Sequence, residues 1–203
     1  MRKVLNVGGG SKQIPLPPQY AGWQHVLLDI DQQHAPDIAC DARKLTTLGG
    51  SEYDAVYCSH NLEHYYRHDL PAVLAGFHHV LKPDGFAHIV VPDIAAVMKT
   101  VTEEKLDIED VLYQSPRGPI TVADVVYGYG AEIESSGNDF YAHKNGFTQR
   151  SLSSTLTSAG FSTIFVNSGN LEIHCLAFRG DAAPYAVALF GLPAPKARQG
   201  VRK

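Results

Sequence analysis

The segment His60-Asn61-Leu62-Glu63-His64 sets two imidazoles and a carboxylate close together. It matches H-x-x-E-H, the inverted zinc-hydrolase pattern. On a helix, histidines at i and i+4 could hold zinc with Glu63 as general base. A histidine beside reacting atoms could instead take up a proton near neutral pH, and the bland reading is the capped start of a surface helix. Gly8-Gly9-Gly10-Ser11 and the carboxylates Asp29, Asp31 and Asp41 form a second chemistry-bearing set. Three glycines let a ligand approach bare main chain. Acids about twenty residues further on suit ribose hydroxyls. A dinucleotide fingerprint would need glycine at position 13, where Gln13 stands.

The elements around these residues decide between the readings. Apolar runs predict strands at Lys3–Val7, His25–Asp29, Asp54–Cys58 and Phe86–Val91, with Asp41 at the end of a third strand. Leu70, Val73, Leu74, Phe77 and Leu81 share one face of a helix over Leu70–Leu81, and Lys82-Pro83-Asp84-Gly85 makes a stop and a turn. The alternation implies a parallel sheet with right-handed crossovers. The glycine loop, Asp29, Asp41 and His60 then all fall at strand ends on one edge of that sheet. This position weighs against zinc, as does the absence of an evident third ligand. His68 extends the series, but three histidines in line along a helix span too far for one ion. No metal is expected.

The region 94–149 breaks the rhythm and reads as a substrate-side insert. It opens with a helix near Ile94–Val101, followed by acids (Glu103, Glu104, Asp107, Glu109, Asp110) that read as a solvated helix face. Tyr127-Gly128-Tyr129-Gly130, Phe140, Tyr141, His143 and Lys144 suit a mobile wall around a substrate. Thr148 caps a helix over Ser151–Ala159 that Gly160 ends. Strands at Ser162–Asn167 and Leu171–Phe178 are joined by Ser168-Gly169-Asn170, so they form a hairpin and make one strand antiparallel. His78 and His79 are read as solvent-facing, and His174 as packed or hydrogen-bonded. Residues 1–180 form one domain. Residues 181–203 form a tail, partly disordered, with basic Lys196, Arg198, Arg202 and Lys203. Tyr185–Leu192 is apolar enough to dock on the body or on a second subunit, and a homodimer is compatible with that.

The 203 residues carry a formal net charge of −4, which argues against a nucleic-acid face. Cys40, Cys58 and Cys175 are isolated and odd in number, which fits a reducing compartment without disulfides. Met1-Arg2-Lys3-Val4 leads into a strand and not a signal peptide, and no apolar run has the length of a membrane span. A cytoplasmic protein without membrane or nucleic-acid partners is expected.

In this order the motifs resemble the class I S-adenosylmethionine-dependent methyltransferases. The matching stretches are Leu5-Asn6-Val7-Gly8-Gly9-Gly10-Ser11, Leu28-Asp29-Ile30-Asp31, Cys40-Asp41-Ala42-Arg43-Lys44-Leu45, the run from Tyr53 to His64, and Leu81-Lys82-Pro83-Asp84-Gly85. The likeness continues through Tyr127-Gly128, His143-Lys144-x-Gly146-Phe147-Thr148 and Ala159-Gly160-Phe161. It implies a Rossmann-like α/β fold, a seven-stranded mostly parallel sheet with an antiparallel last strand and helices on both faces. It also implies S-adenosyl-L-methionine as cofactor. Asn6, Val7, Gly8, Gly9 and Gly10 would cradle the methionine part, Asp29 the ribose, and Ile30 would cover the adenine. Asp41 with Ala42 would receive its amino edge, and Ser59 and His60 would lie near the sulfonium. Asn6 replaces a common acid, and Lys12 stands where many members have glycine. The family's usual N-terminal helix is not evident, so the insert or a neighbouring subunit would have to close the site. The resemblance is to small methyltransferases often associated with sugar and cell-surface polysaccharide synthesis.

The expected function is methyl transfer to a small-molecule acceptor, with a sugar or polysaccharide precursor as a candidate. His60, His64 and His143 are the candidate bases; Tyr127, Tyr129 and Lys144 would contact the acceptor. A protein that binds the cofactor without catalysis is the alternative, and a zinc hydrolase on His60, Glu63 and His64 a more distant one.

Overall fold

A computed structural model describes residues 1–116 and 118–193. In chain order the strands and helices are β1 (Lys3–Val7), β2 (Gln24–Asp29), β3 (Ile38–Ala39), β4 (Tyr53–Ser59), α1 (Leu70–Val80), β5 (Leu81–Pro92) and α2 (Ile94–Glu104). Then come β6 (Val111–Ser115), β7 (Gly118–Thr121), α3 (Val122–Tyr127), α4 (Gly130–Ser136), α5 (Gln149–Ser158), β8 (Thr163–Gly169), β9 (Glu172–Phe178) and α6 (Pro184–Phe190). Seven strands form one sheet in the order β3-β2-β1-β4-β5-β9-β8, and β6 pairs with β7 in a separate hairpin. The first five strands run parallel, and β9 is antiparallel to both neighbours. This is the expected architecture, including the reversed strand that the short 168–170 join requires.

Strand β4 is buried along most of its length, as a central parallel strand must be. One sheet face packs against α1 and α5 through Val56, Leu74, Phe77, Leu152 and Leu156, all 0–1% exposed. The apolar spacing of α1 puts Leu70, Val73, Leu74, Phe77 and Val80 on this face. Each such side chain removed from water contributes about 1.5–3 kcal/mol. The opposite face carries Tyr20, Phe86 and Phe178 beneath α6. Residues 184–190 therefore dock on the body, the first of the two docking readings of the tail. Its basic end, 194–203, lies outside the described residues.

Several boundaries differ from expectation. Lys82-Pro83-Asp84-Gly85 does not separate α1 from a later strand but lies inside β5. Tyr53 pairs with Leu81 and Ala55 with Phe86, so the turn loops out of an irregular ladder. The acidic residues after Thr102 are not one helix face. Helix α2 stops at Glu104, and the Asp107 amide then donates to the Asp110 carboxylate in a turn. His79 is not on the solvent side: its ring bonds the Leu48 carbonyl, and His78 packs edge-on against Phe161.

Candidate functional site

The first parallel strand ends in the glycine loop, whose shape two amides enforce. Gly8 has φ +69°, and a Cβ there would overlap the Asn61 amide; at Gly9 it would overlap Asn6. No other residue leaves this main chain open. Asp29, at the end of β2, is 8% exposed and ties the loop down. Its carboxylate accepts from the Gly10 amide and from the Asp31 amide, both at 2.9 Å. The acid expected to meet a ribose is thus also the strut of the glycine turn. Ile30 beside it is 42% exposed, an apolar plate facing the cleft. Val7 and Ala42 also stand at this edge, but their side chains are buried in the core, so they offer only main chain.

Asp41 caps the short helical turn Ala42–Thr47, accepting from the Arg43 amide. Arg43 also turns its guanidinium onto the same carboxylate at 2.6 Å. Burial would raise the Asp41 pKa, yet the Arg43 bonds hold it below the usual carboxylate range. Arg43 lines the cleft and was not among the residues singled out by sequence reasoning. Lys12 is turned away to Asp37, 2.6 Å off.

The histidine motif is not the helix that a zinc hydrolase would need. Only Leu62–His64 is helical, as one tight turn, and His60 precedes it in the left-handed region at φ +48°. Its ring reaches sideways, with Nε2 2.9 Å from Glu172 and Nδ1 3.5 Å from Glu63. Burial alone would lower its pKa, but the two carboxylates outweigh that and push it up to about 10. That shift favours the imidazolium, which weighs against His60 as the base. His64 and His143 are brought together by main chain. The Glu63 carbonyl accepts from the amides of Lys144 and Asn145, and the Tyr127 carbonyl from that of His143. The two rings meet edge to face at 4.9 Å. His64 Nδ1 lies 3.1 Å from the Ala142 carbonyl and His143 Nδ1 2.9 Å from that of Val125. A carbonyl only accepts, so both Nδ1 atoms carry a proton, and in a neutral ring the lone pair is then on Nε2. Burial lowers the His143 pKa and favours that neutral form.

All of these groups open into one cleft of about 1340 Å³. A drug-sized ligand needs roughly 300–1,000 Å³, so there is room for two molecules side by side. The glycine loop, Asp29, Asp41, Ser59, His60, His64 and His143 line it, and the insert supplies the facing wall with Tyr113, Tyr129, Phe140 and Lys144. Tyr127 does not join them. Its side chain is 63% exposed outside the cleft, and its carbonyl is what positions His143. Tyr113 and Glu172, from β6 and β9, were missed because nothing near them in sequence carries a signal.

Residues 5–89 match the methyltransferase-domain family. That stretch runs from the first strand of the sheet into the fifth and includes the glycine loop, under half of the chain. The chain's fold is similar to that of an S-adenosylmethionine-dependent methyltransferase from Archaeoglobus fulgidus: 15% identity, TM-score 0.55, covering 87% of this chain and 85% of that one. A Pyrococcus horikoshii protein gives 17%, 0.58, 88% and 83%. The 1,6-didemethyltoxoflavin-N1-methyltransferase of Burkholderia thailandensis, solved with substrate and S-adenosylhomocysteine, gives 17%, 0.50, 86% and 69%. At these identities the likeness is one of fold. No curated protein matches the sequence.

The residues at this edge suit S-adenosylmethionine. Gly8 and Gly9 pack against the Asn61 and Asn6 amides and line the cleft, and the loop's amides and nearby carboxylates are complementary to an amino acid joined to a nucleoside. Asn6 is 4% exposed, with its amide 3.3 Å from His25 Nε2. Among the described residues no helix is long and apolar enough to cross a membrane.

Proposed function

We propose that the chain is an S-adenosylmethionine-dependent methyltransferase that modifies a hydroxyl or an amine of a small polar molecule, with a sugar or polysaccharide precursor as the candidate class. The observation that carries the reading is the His64–His143 pair, whose imidazoles share the cleft of the glycine loop. S-adenosylmethionine supplies a methyl group on a sulfonium. In the proposal, the main chain of Val7 to Gly10 and the Asn6 amide hold its amino-acid part. Asp29 accepts from the ribose, Ile30 covers the adenine, and Asp41 with the Ala42 main chain meets its amino edge. Ser59 and His60 border the reacting centre. His60, fixed as a cation between Glu63 and Glu172, serves charge balance and orientation. His64 and His143 face the acceptor, and a neutral imidazole there takes its proton. Tyr129 and Lys144 orient the acceptor; Tyr66, Tyr113 and Phe140 offer faces on which a sugar ring can rest. Positioning in a closed, dry site supplies most of the rate, because charge is neutralised as the methyl group moves.

The test is release of S-adenosylhomocysteine with a panel of sugars, sugar nucleotides and small phenols. Turnover with any of them, lost in His64→Gln/His143→Gln, supports the reading. Tight cofactor binding without turnover on the whole panel would favour a non-catalytic binder.

A further inference from the structure

We propose that Glu63, His64 and His143 form a binding site for one divalent transition-metal ion. Each offers a ligand atom, and the three atoms lie within 4.8 Å of one another. They come from two segments 79 residues apart that the main-chain bonds of the Glu63 carbonyl hold in register.

The first argument is an unsatisfied carboxylate. Glu63 is 1% exposed, and neither of its oxygens accepts a hydrogen bond from any described residue. His60 stands 3.5 Å from one oxygen, an ion pair without a hydrogen bond. The pairing with His60 offsets part of the cost of burying this charge, but both oxygens still lack a hydrogen-bond donor among the described residues, and such a carboxylate is suited to a metal ion.

The second argument is the state of the imidazoles. Both Nδ1–H groups are already given to main-chain carbonyls, of Ala142 and of Val125. That is the outer arrangement that fixes the tautomer and orientation of metal-bound histidines. It leaves one lone pair per ring, at Nε2. Two imidazoles and one carboxylate suit Zn²⁺ best, with Co²⁺, Mn²⁺ and Fe²⁺ as competitors, and leave coordination positions open for a water or a substrate.

The metal role builds on the proposed methyl transfer and changes its chemistry. An acceptor hydroxyl on the ion would give its proton to solvent through a bound water, the O–H pair staying on oxygen. That oxygen would then bond to the methyl carbon as the methyl–sulfur bond breaks with its pair staying on sulfur, giving S-adenosylhomocysteine, and no histidine need act as base. The sequence alone points away from a metal, because the motif lies at a strand end on the glycine-loop edge and shows no evident third ligand. The fold supplies it from the insert, and His60 is not part of the set.

The experiment uses the full chain after chelation and dialysis, titrated with CoCl₂ and followed by calorimetry and visible absorption. The expected result is one Co²⁺ per chain with d–d bands of a low-coordinate site, displaced by one equivalent of ZnCl₂. His143→Gln and Glu63→Gln should each weaken binding at least roughly tenfold, while His68→Gln, on the surface, leaves it unchanged. If Glu63 serves only to pair with His60, His143→Gln has no effect on Co²⁺ binding, and that result overturns the proposal. So does wild-type protein that takes up no Co²⁺. Should Glu63→Gln fail to fold by circular dichroism, the His64→Gln and His143→Gln variants decide alone. S-adenosylhomocysteine calorimetry on the metal-free protein keeps the two ideas apart. Cofactor binding without metal binding overturns the metal site only.

Discussion

Asp29 shows how one residue serves structure and ligand together. Its two main-chain hydrogen bonds keep Gly10 and Asp31 in place, and a hydrogen bond to a charged group is worth about 1.5–3 kcal/mol. Asp29→Ala should therefore weaken S-adenosylhomocysteine binding roughly tenfold or more. It should also lower the melting temperature by a few degrees, read by calorimetry and thermal denaturation. Unchanged affinity would remove Asp29 from the site. His60 makes a second prediction. Its pKa rises from about 6.5 unfolded to about 10 folded, so its stabilising effect is complete below pH 6.5 and fades as pH climbs toward 10. Chemical denaturation of metal-free wild type should show stability falling across that window. In His60→Gln that part of the slope should vanish; an unchanged slope would mean that the two carboxylates do not hold the imidazolium.

At the scale of elements, the insert is what turns the open edge of the sheet into a walled cleft. It is pinned at both ends by Asp93, which caps α2 and pairs with Phe147 across a lone bridge. Within it, Gly128 at φ +105° lets the chain after α3 pass so close to Tyr141 and Ala142 that a Cβ would collide with their main chain. This passage delivers His143 to His64. Gly128→Ala should therefore lower turnover at least tenfold once an acceptor is known, with S-adenosylhomocysteine affinity within about threefold of wild type, since the cofactor edge lies on other strands. Loss of both together would show that the insert also shapes the cofactor site. Helix α6 has the opposite task. Ala186 is fully buried against the sheet. Ala186→Asp puts a charge there and should cost about 3 kcal/mol or more, seen as an earlier thermal transition and dye binding to exposed apolar surface.

The whole molecule is two apolar layers on one sheet, with the chemistry at the sheet's edge. The layer beneath α6 contains a titratable group that the site does not use. His88 is 8% exposed, 3.1 Å from the Tyr20 hydroxyl and edge-on to Phe190. Burial, with a smaller push from His174, lowers its pKa to about 4. Below pH 6.5 the unfolded chain binds a proton that the folded chain refuses until about pH 4. Stability should fall by on the order of 3 kcal/mol between those values. His88→Gln should flatten that acid limb in urea denaturation curves measured from pH 7 to 4; an identical limb would place the acid sensitivity elsewhere.

The chain itself determined its sheet and the edge where the glycine loop and the acids meet, because those signals are local. Apolar runs end in glycines or acids at fixed spacing, Thr148 caps α5 as expected, and a three-residue join forces a reversed strand. The β6–β7 hairpin was illegible, since Pro116 and Pro119 deny the usual strand pattern. The partners of the histidines were illegible for a different reason. Glu172 reaches His60 from a strand 112 residues on, and His143 reaches His64 through hydrogen bonds that belong to main chain. Main-chain bonds leave no mark in residue type, so only the folded chain could decide which imidazole lies between two carboxylates and which two turn Nδ1 to a carbonyl.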